Sequence, residues 1–302
     1  MLDIHAHLYW NSYDADRDEV VKRAFQAGVE KMICVGTAPE DNLQALAVAE
    51  RYEHVSAAVG LHPHFFNELV EKKSPITKIQ DTKNHQLPII NFQNTISELK
   101  KIVQSSKKVV AIGECGLDYY SHDKQITISS QQKTVQREGF LAQIALAGEL
   151  GLPMIIHTRP SFGAMDAYED LYEIIQNTKY KIRHTILHCY MGDTAVTAKF
   201  LELPNVYFSF AGNITYPVKK ALLGTKDDLT ETVKMIPLER LFVETDCPFL
   251  APQSQRGKRN EPAYVHETTE FLAHVRGVSA DEIGQITAEN GGRVFWPSLP
   301  RE

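Results

Sequence analysis

Eight short β-rich runs alternate with helical segments along the chain, and this order constrains the fold more than any other feature. The β-rich runs cover residues 1–5, 31–37, 55–62, 109–114, 152–157, 185–188, 205–210 and 241–246. Segments with helical spacing lie between them, for example residues 15–28, 39–51, 131–150 and 193–201. Alternation of strand and helix is typical of a parallel sheet. The pattern predicts a (β/α)8 TIM barrel, a fold that usually needs about 250 residues.

We expect residues 1–302 to form a single domain, because barrels often exceed the roughly 100–200 residues of an average domain. A polar segment, residues 71–95, is rich in Lys, Gln and Asn and lies between the third strand and a helical run at 96–103. We predict that it is an inserted loop on the catalytic face. At the chain end, Ser279 and Glu282 predict the start of a helix that runs to about Asn290 and covers the outside of the barrel.

The sequence also predicts a cytoplasmic protein that does not span a membrane. No apolar stretch approaches the roughly 20 residues that a membrane helix needs. The first strand begins at the start of the chain, so a cleaved signal peptide would remove part of it. The four cysteines form no CxxC pair, and we expect free thiols.

Six residues suited to binding divalent metal ions stand at the ends of these runs. They are His5, His7, Glu114, His157, His188 and Asp246. The carboxyl ends of all strands in such a barrel meet at one face, where active sites lie. His5 and His7 are two residues apart, so their side chains leave the same face of a strand. A lone histidine is more often a core residue, but this placement favours a metal site.

Two of the carboxylates are predicted to be catalytic as well as metal ligands. Glu114 follows a buried run, where a carboxylate is costly unless it meets a cation, and its two oxygens could bridge two ions. Asp246 could bind a metal ion and accept a proton from water. Glu244, two residues earlier, could support the site from behind or form a buried ion pair.

Basic residues are expected at the same mouth. The net charge of −6 gives no general attraction for nucleic acid. However, Arg159 follows the fifth strand, and residues 256–259, which include Arg259, follow the eighth. A run of charges is usually a solvated surface, but beside a metal site we predict that Arg159 and Arg259 contact phosphate.

Seven motifs, in order and across nearly all of the chain, resemble the TatD family of metal-dependent deoxyribonucleases among the amidohydrolase-like barrels. The motifs are DIHAH, GLHPH, GECGLDYY, PMIIHTR, ILHCYMG, VETDCPFLAP and RGKRNEP. The resemblance implies two divalent ions, Mg²⁺ foremost with Mn²⁺ or Zn²⁺ as alternatives. It places His5, His7 and Asp246 on one ion, His157 and His188 on the other, and Glu114 between them. It also implies a 3′ to 5′ exonuclease that uses two-metal activation of water to cut DNA, as single strands or at 3′ ends.

The resemblance assigns further residues to the substrate. The histidine-rich turn after the third strand matches His62 and His64, which we expect to contact phosphate or to support the ligands. Tyr119 could stack on a base, with packing under the barrel rim as an equal alternative. After the motif HTR, Pro160 and Ser161 replace the acidic residue and alanine that the family has, which leaves substrate preference open.

Two other functions remain compatible with the sequence. The same site could hydrolyse the ester that joins an amino acid to tRNA, because activated water also attacks a carbonyl carbon. The chain could instead be a non-catalytic barrel that binds DNA or a partner protein, although a complete ligand set argues against this. No obligate protein partner is expected.

Overall fold

A computed structural model describes residues 1–71, 93–121, 123, 127–217 and 229–297, and it contains the predicted eight-stranded parallel barrel. The strands are β1 (Leu2–Ala6), β2 (Lys31–Val35), β3 (Val55–Val59), β4 (Val109–Asp118), β5 (Met154–Arg159), β6 (Thr185–Leu187), β7 (Val206–Phe210) and β8 (Leu241–Val243). The helices are α1 (Arg17–Gln26), α2 (Pro39–Arg51), α3 (Pro63–Glu71), α4 (Gln93–Ser105), α5 (Ser130–Leu150), α6 (Asp166–Asn177), α7 (Thr194–Leu201), α8 (Leu229–Met235), α9 (Val265–Arg276) and α10 (Ala280–Val294).

The barrel closes along a seam between β1 and the segment that follows β8. Each strand pairs in parallel with the next in the chain, from β1 to β8. A single parallel bridge then joins Ala6 to Cys247. The backbone N–H of Asp246 donates to the carbonyl of His5, and that of His7 donates to the carbonyl of Cys247, both at 2.8 Å. Three of the predicted metal ligands therefore belong to the backbone that closes the barrel.

Buried apolar side chains form two layers, one on each side of the sheet. The larger layer fills the space between strands and helices. The smaller layer includes Ile4, Ile33, Ile155, Ile186 and Phe242. Because these five residues come from five strands around the sheet and still belong to one cluster, they occupy the interior of the barrel.

The C-terminal helix differs from its prediction in length and in position. Ser279 caps α10 by accepting a hydrogen bond from the backbone N–H of Glu282, as expected, but the helix continues to Val294. The next residue, Phe295, lies 5.8 Å from Phe242, measured between ring centroids. The chain end therefore seals the interior at the amino-terminal end of the barrel, in addition to packing against its outside.

Other boundaries differ locally. Helix α3 was not predicted, because its residues directly follow the histidine-rich turn of the third β-rich run. Strand β4 continues four residues beyond Glu114, since after a shift of register it pairs again with β5 from Cys115 to Asp118. Most of the predicted insertion, residues 72–92, lies outside the described residues, and the single-domain assignment remains a prediction.

Two smaller observations complete the fold. The four cysteines are free, as predicted. Within the described ranges, none of the helices combines the length and the apolar character needed to cross a membrane.

Candidate active site

The carboxyl end of the barrel brings together all six residues predicted as metal ligands. Their nitrogen and oxygen atoms fall into overlapping groups of three, with the atoms of each group within 4.8 Å of one another. The groups drawn entirely from the predicted set are His5, His188 and Asp246; His5, His7 and Glu114; and Glu114, His157 and His188. Residues distant in the chain meet here because parallel strands all end at this face.

The first candidate metal position lies at the seam of the barrel. The Nε2 atoms of His5 and His7 are 3.2 Å apart, and Oδ1 of Asp246 lies 3.7 and 3.3 Å from them, respectively. Oε2 of Glu114 approaches the same two nitrogens at 3.4 and 3.8 Å. Ligand atoms that share an ion at about 2.0–2.2 Å are separated by roughly 3–3.5 Å. These four atoms therefore suit one cation.

The second candidate position uses the other oxygen of Glu114. Oε1 lies 2.8 Å from Nδ1 of His157 and 3.4 Å from Nε2 of His188. Nε2 of His62 lies 3.5 Å from the same oxygen. Glu114 thus presents one oxygen to each group of imidazoles, which is the arrangement of a carboxylate that bridges two ions.

Hydrogen bonds behind the imidazoles orient them towards the cavity. Nδ1 of His7 lies 2.8 Å from the carbonyl of Val35, and Nδ1 of His188 lies 2.8 Å from Oε1 of Glu244. A carbonyl or carboxylate oxygen only accepts, so each Nδ1 carries the hydrogen and, in the neutral ring, Nε2 keeps its lone pair. Such partners are typical of histidines that bind metals.

The cavity is strongly charged as well as buried. Burial alone raises the pKa of Glu114, but charge interaction with His62 and hydrogen bonds from His157 and His188 outweigh burial and hold it well below the ordinary value. Burial also opposes ionisation of Asp246, yet its pKa is lowered, first through the hydrogen bond from His7.

The imidazoles are shifted in both directions, because burial holds the pKa values of His5 and His62 below the ordinary value whereas carboxylates raise that of His188. Burial lowers the pKa of His188, but the charge of Glu244 and contacts with Glu114 raise it well above the ordinary value. The site is therefore built to hold positive charge, which protons on its imidazoles or divalent ions can supply. The donor set of imidazole nitrogens around ionised carboxylates fits divalent metal ions.

Asp118 belongs to this site, although the sequence analysis did not single it out. Its Oδ2 lies 3.2 Å from Nε2 of His157 and 3.0 Å from Nε2 of His64. Gln136 fixes its backbone with one hydrogen bond to the N–H and one to the carbonyl, both of 2.8 Å. Strand alternation could have found it, because Glu114 and Asp118 are four residues apart and so share a face.

Gly116, midway between those two acids, permits their approach to β5. Its φ is +140°, and a Cβ atom built there would lie 2.0 Å from the carbonyl oxygen of His157. A side chain at this position would push β4 away from β5 at the point where Asp118 meets His157.

Three of the predicted substrate contacts lie at or beside the mouth. The side chain of His64 is 61% exposed while its Nε2 contacts Asp118. His62 lies against His157, with ring centroids 4.4 Å apart. Arg159, the last residue of β5, is half-buried, and its guanidinium carbon lies 3.7 Å from the centre of the Tyr120 ring.

The structure contradicts the predicted stacking role of Tyr119. Its side chain is fully buried, its hydroxyl donates to Asp170 of α6 at 2.7 Å, and Lys133 of α5 lies over its ring. The ring points away from the cavity into the layer between strands and helices. The alternative of packing under the barrel rim is the correct one.

Arg259 also has a different role from the predicted phosphate contact. Its Nη1 and Nη2 atoms donate to both carboxylate oxygens of Asp16, at 2.8 and 2.7 Å, and its guanidinium lies over the ring of Tyr13. This arginine ties the segment after β8 to the connection between β1 and α1. Its partner precedes it by more than two hundred residues, so local sequence could not reveal the pairing.

Comparison with known proteins agrees with this geometry. The profile of the family described as TatD related DNase matches residues 2–296. An uncharacterized metal-dependent hydrolase of Bacillus subtilis (strain 168), YabD, is 36% identical over 295 residues, which cover 98% of both chains. A protein of Erwinia tasmaniensis named 3′-5′ ssDNA/RNA exonuclease TatD is 32% identical over 98% of this chain and 99% of its own.

A solved structure supports the same assignment. The crystal structure of YJJV, a TatD homologue from Escherichia coli K12, superposes with a TM-score of 0.77 at 27% identity, covering 98% of this chain and 97% of that one. Barrel, ligand geometry and relatives lead to one conclusion: the chain belongs to the TatD family of metal-dependent hydrolases.

Proposed function

We propose that this protein is a nuclease that removes nucleotides from the 3′ ends of single-stranded DNA with two divalent ions. The observation that carries the proposal is the position of Glu114, whose two oxygens face two separate groups of imidazoles. Two ions held by one bridging carboxylate are a recurrent arrangement in phosphodiester hydrolysis. Relatives that are named exonucleases support a nucleic acid substrate.

Different residues of the site would bind the ions and accept the proton during hydrolysis. His5, His7 and Asp246 would hold one ion, His157 and His188 the other, and Glu114 both. When bound, such ions lower the pKa of water and neutralise the charge of a phosphate. Asp246 accepts the proton of the attacking water, because its carboxylate is ionised and lies at the cavity wall.

Two residues at the mouth are placed to hold the phosphate. The imidazole of His64 is exposed at the mouth, and its Nε2 lies 3.0 Å from Oδ2 of the buried carboxylate of Asp118, which positions the ring. The planar guanidinium of Arg159 offers several N–H donors in a geometry that suits phosphate oxygens. Together they orient the phosphate of an entering strand before the leaving oxygen departs.

We infer that the native ions are transition metals in preference to Mg²⁺, the ion expected from the resemblance. Four of the candidate ligands are histidines, and imidazole suits Zn²⁺ and Fe²⁺ better than Mg²⁺, which favours oxygen ligands and retains water. Metal analysis of protein purified without chelator, followed by activity titration with each ion, tests this inference. Full activity with Mg²⁺ alone in metal-stripped protein would contradict it.

The proposed function is tested with two substrates in parallel. End-labelled single-stranded DNA and an aminoacylated tRNA are incubated with the metal-loaded protein and with chelator-treated protein. We expect progressive shortening of the DNA from its 3′ end only when metal is present. Cleavage of the aminoacyl ester without any shortening of DNA would overturn the nuclease assignment in favour of a deacylase.

Variants link the activity to the metal positions. His157→Ala should reduce the metal content from about two ions per chain towards one and remove the activity. His54→Ala is a matched control, because His54 is an exposed histidine next to the start of β3, and it should leave both properties unchanged. Unchanged stoichiometry in the double variant His157→Ala/His188→Ala would exclude this set of ligands.

A further inference from the structure

Two exposed aromatic side chains, Trp10 and Phe249, flank the candidate metal ligand His7 at the mouth of the barrel. Their exposed fractions are 37% and 45%, and their ring centroids are 5.4 Å apart, with the ring planes inclined by 75°. The ring of His7 lies 6.5 Å from Trp10 and 6.0 Å from Phe249. Two large apolar rings thus face solvent beside the reactive centre.

Both rings are held in place by turns that begin at metal ligands. The backbone N–H of Trp10 donates to the carbonyl of His7 at 3.0 Å, and that of Phe249 donates to the carbonyl of Asp246 at 2.9 Å. Each aromatic residue therefore stands three positions after a candidate ligand, in a turn whose backbone hydrogen bond fixes its place relative to that residue.

Side chains from elsewhere in the fold reinforce these two turns. Arg17 donates to the carbonyl of Leu8, just before Trp10, at 2.7 Å. Asn260, which is fully buried, donates to the carbonyl of Phe249 at 2.6 Å. The backbone that carries the two rings is consequently fixed before any ligand arrives, which reduces the entropy lost on binding.

We propose that Trp10 and Phe249 form a stacking platform for an unpaired nucleobase of the strand whose phosphate enters the metal site. This inference rests on the proposed function and deepens it. A flat base can stack on one ring while its edge meets the other, and base–aromatic stacking tolerates any base sequence. Nucleobases are preferred to a partner protein because the rings adjoin His7, so a ligand seated on them has its attached phosphate within reach of the ions.

The proposed platform also predicts a preference for single strands. A base inside a duplex is stacked on both faces and hydrogen-bonded along its edge, so it must leave the helix before it can occupy a corner between two inclined rings. An unpaired 3′ end has no such cost. The aromatic pair, in addition to the ions, would then select the substrate.

The composition of the chain makes a direct test available, because it contains only two tryptophans. The second, Trp296, lies at the amino-terminal end of the barrel, where its Nε1 donates to Ser56 and Lys31 lies over its ring. In the variant Trp296→Phe, tryptophan fluorescence, excited selectively over that of tyrosine, therefore reports on Trp10 alone. Metal-loaded Trp296→Phe protein is titrated with a nuclease-resistant phosphorothioate oligothymidine, and in parallel with deoxyribose 5-phosphate, which lacks a base.

We expect the oligothymidine to quench the fluorescence saturably, and deoxyribose 5-phosphate to leave it unchanged. Adding Phe249→Ala should weaken oligothymidine binding by about 5- to 100-fold, the range that one stacked base contributes. The metal content should stay constant. Tyr180→Ala is the matched control, since Tyr180 is exposed to a similar extent, 38%, in the connection before β6, and it should leave binding unchanged.

Different results would contradict the stacking platform and the nuclease assignment. If the protein shortens single-stranded DNA but the oligothymidine does not quench Trp10, or Phe249→Ala binds as tightly as its parent, the platform is wrong and the nuclease assignment stands. If metal-loaded wild-type protein cleaves no strand, the nuclease assignment fails. Equal quenching by deoxyribose 5-phosphate would show that the fluorescence change does not depend on a base and would contradict the platform.

Discussion

The two ends of the barrel are built on opposite principles. The carboxyl end gathers buried carboxylates and imidazoles around a cavity, whereas the amino-terminal end is closed by apolar packing of Phe295 beneath Phe242. The non-glycine residues with positive φ in the described chain, Cys189, Asp246 and Leu250, all follow β6 or β8 at the carboxyl end. Strained backbone and the buried, mutually paired carboxylates and imidazoles therefore collect at one end, while the other end contributes stability through apolar packing.

This separation follows from the parallel arrangement of the strands. At the carboxyl end, the site is built from the loops that follow the strands, and the sequence of these loops can vary without disturbing the sheet. The opposite end must exclude water from the interior of the barrel. Substitutions at the mouth should consequently alter activity with little loss of stability. Substitutions at the apolar end should lower stability with little change in activity.

The largest expected effect comes from Asp246→Asn at the mouth. Asn tolerates the positive φ of this position, so the fold should persist, but its amide cannot accept a proton. We expect a loss of about 10²- to 10⁴-fold in kcat for DNA cleavage, the usual contribution of a general base. The measurement is cleavage of single-stranded DNA by protein that circular dichroism and metal analysis show to be folded and loaded, and an unchanged rate would remove Asp246 from this role.

At the opposite end, Phe295→Ala should destabilise the protein by about 3–5 kcal/mol, because it opens a cavity against the interior cluster. Denaturant unfolding gives the free energy, and kcat is measured at a temperature where the variant remains folded. We expect kcat to be unchanged. A loss of activity in fully folded variant protein would show that the two ends of the barrel are functionally coupled.

A smaller effect is expected from Glu244→Gln, which acts through His188. The carboxylate accepts from Nδ1 of His188 and from the backbone N–H of Cys189, at 2.8 and 2.6 Å. An amide weakens the orientation of the imidazole, and such changes typically cost about 10- to 100-fold in metal affinity. Competition with a chromophoric chelator measures the dissociation constant. If affinity for both ions stays at the wild-type value, Glu244 serves only as a buried partner.

The smallest expected effect is on the salt dependence of DNA binding, and it distinguishes Arg159 from Arg259, which were both predicted from the sequence to contact phosphate. Replacing Arg159 by Ala should reduce the log–log salt dependence of DNA binding by about 0.7, the contribution of one phosphate contact on a single strand. Arg259→Ala should leave that slope unchanged and lower the melting temperature, since it removes the ion pair with Asp16. The reverse pattern across a salt series would restore the original prediction for Arg259.

Local sequence was sufficient for the architecture and for identifying the six side chains that meet at the candidate metal site. Strand and helix alternate with clear periodicity, and a histidine or acid at a strand end can be recognised without knowing its partners. Because side chains alternate between the two faces of a strand, the same reasoning predicts that Asp118 lies on the same face as Glu114. These features depend on neighbours within a few residues, which is the range over which side-chain direction follows from backbone geometry.

Tertiary structure decided which polar residues remain available for a substrate. Tyr119 and Tyr120 are adjacent and chemically identical, yet the fold buries the first against Asp170 and leaves the second beside Arg159. From the sequence, Arg259 was predicted to contact phosphate, but the fold brings Asp16, which is distant in the sequence, to its guanidinium. Local pattern therefore determined the barrel and the histidines and acids gathered at its carboxyl end, but only the packing of distant segments determined what each remaining side chain contacts, because burial and pairing depend on the whole fold.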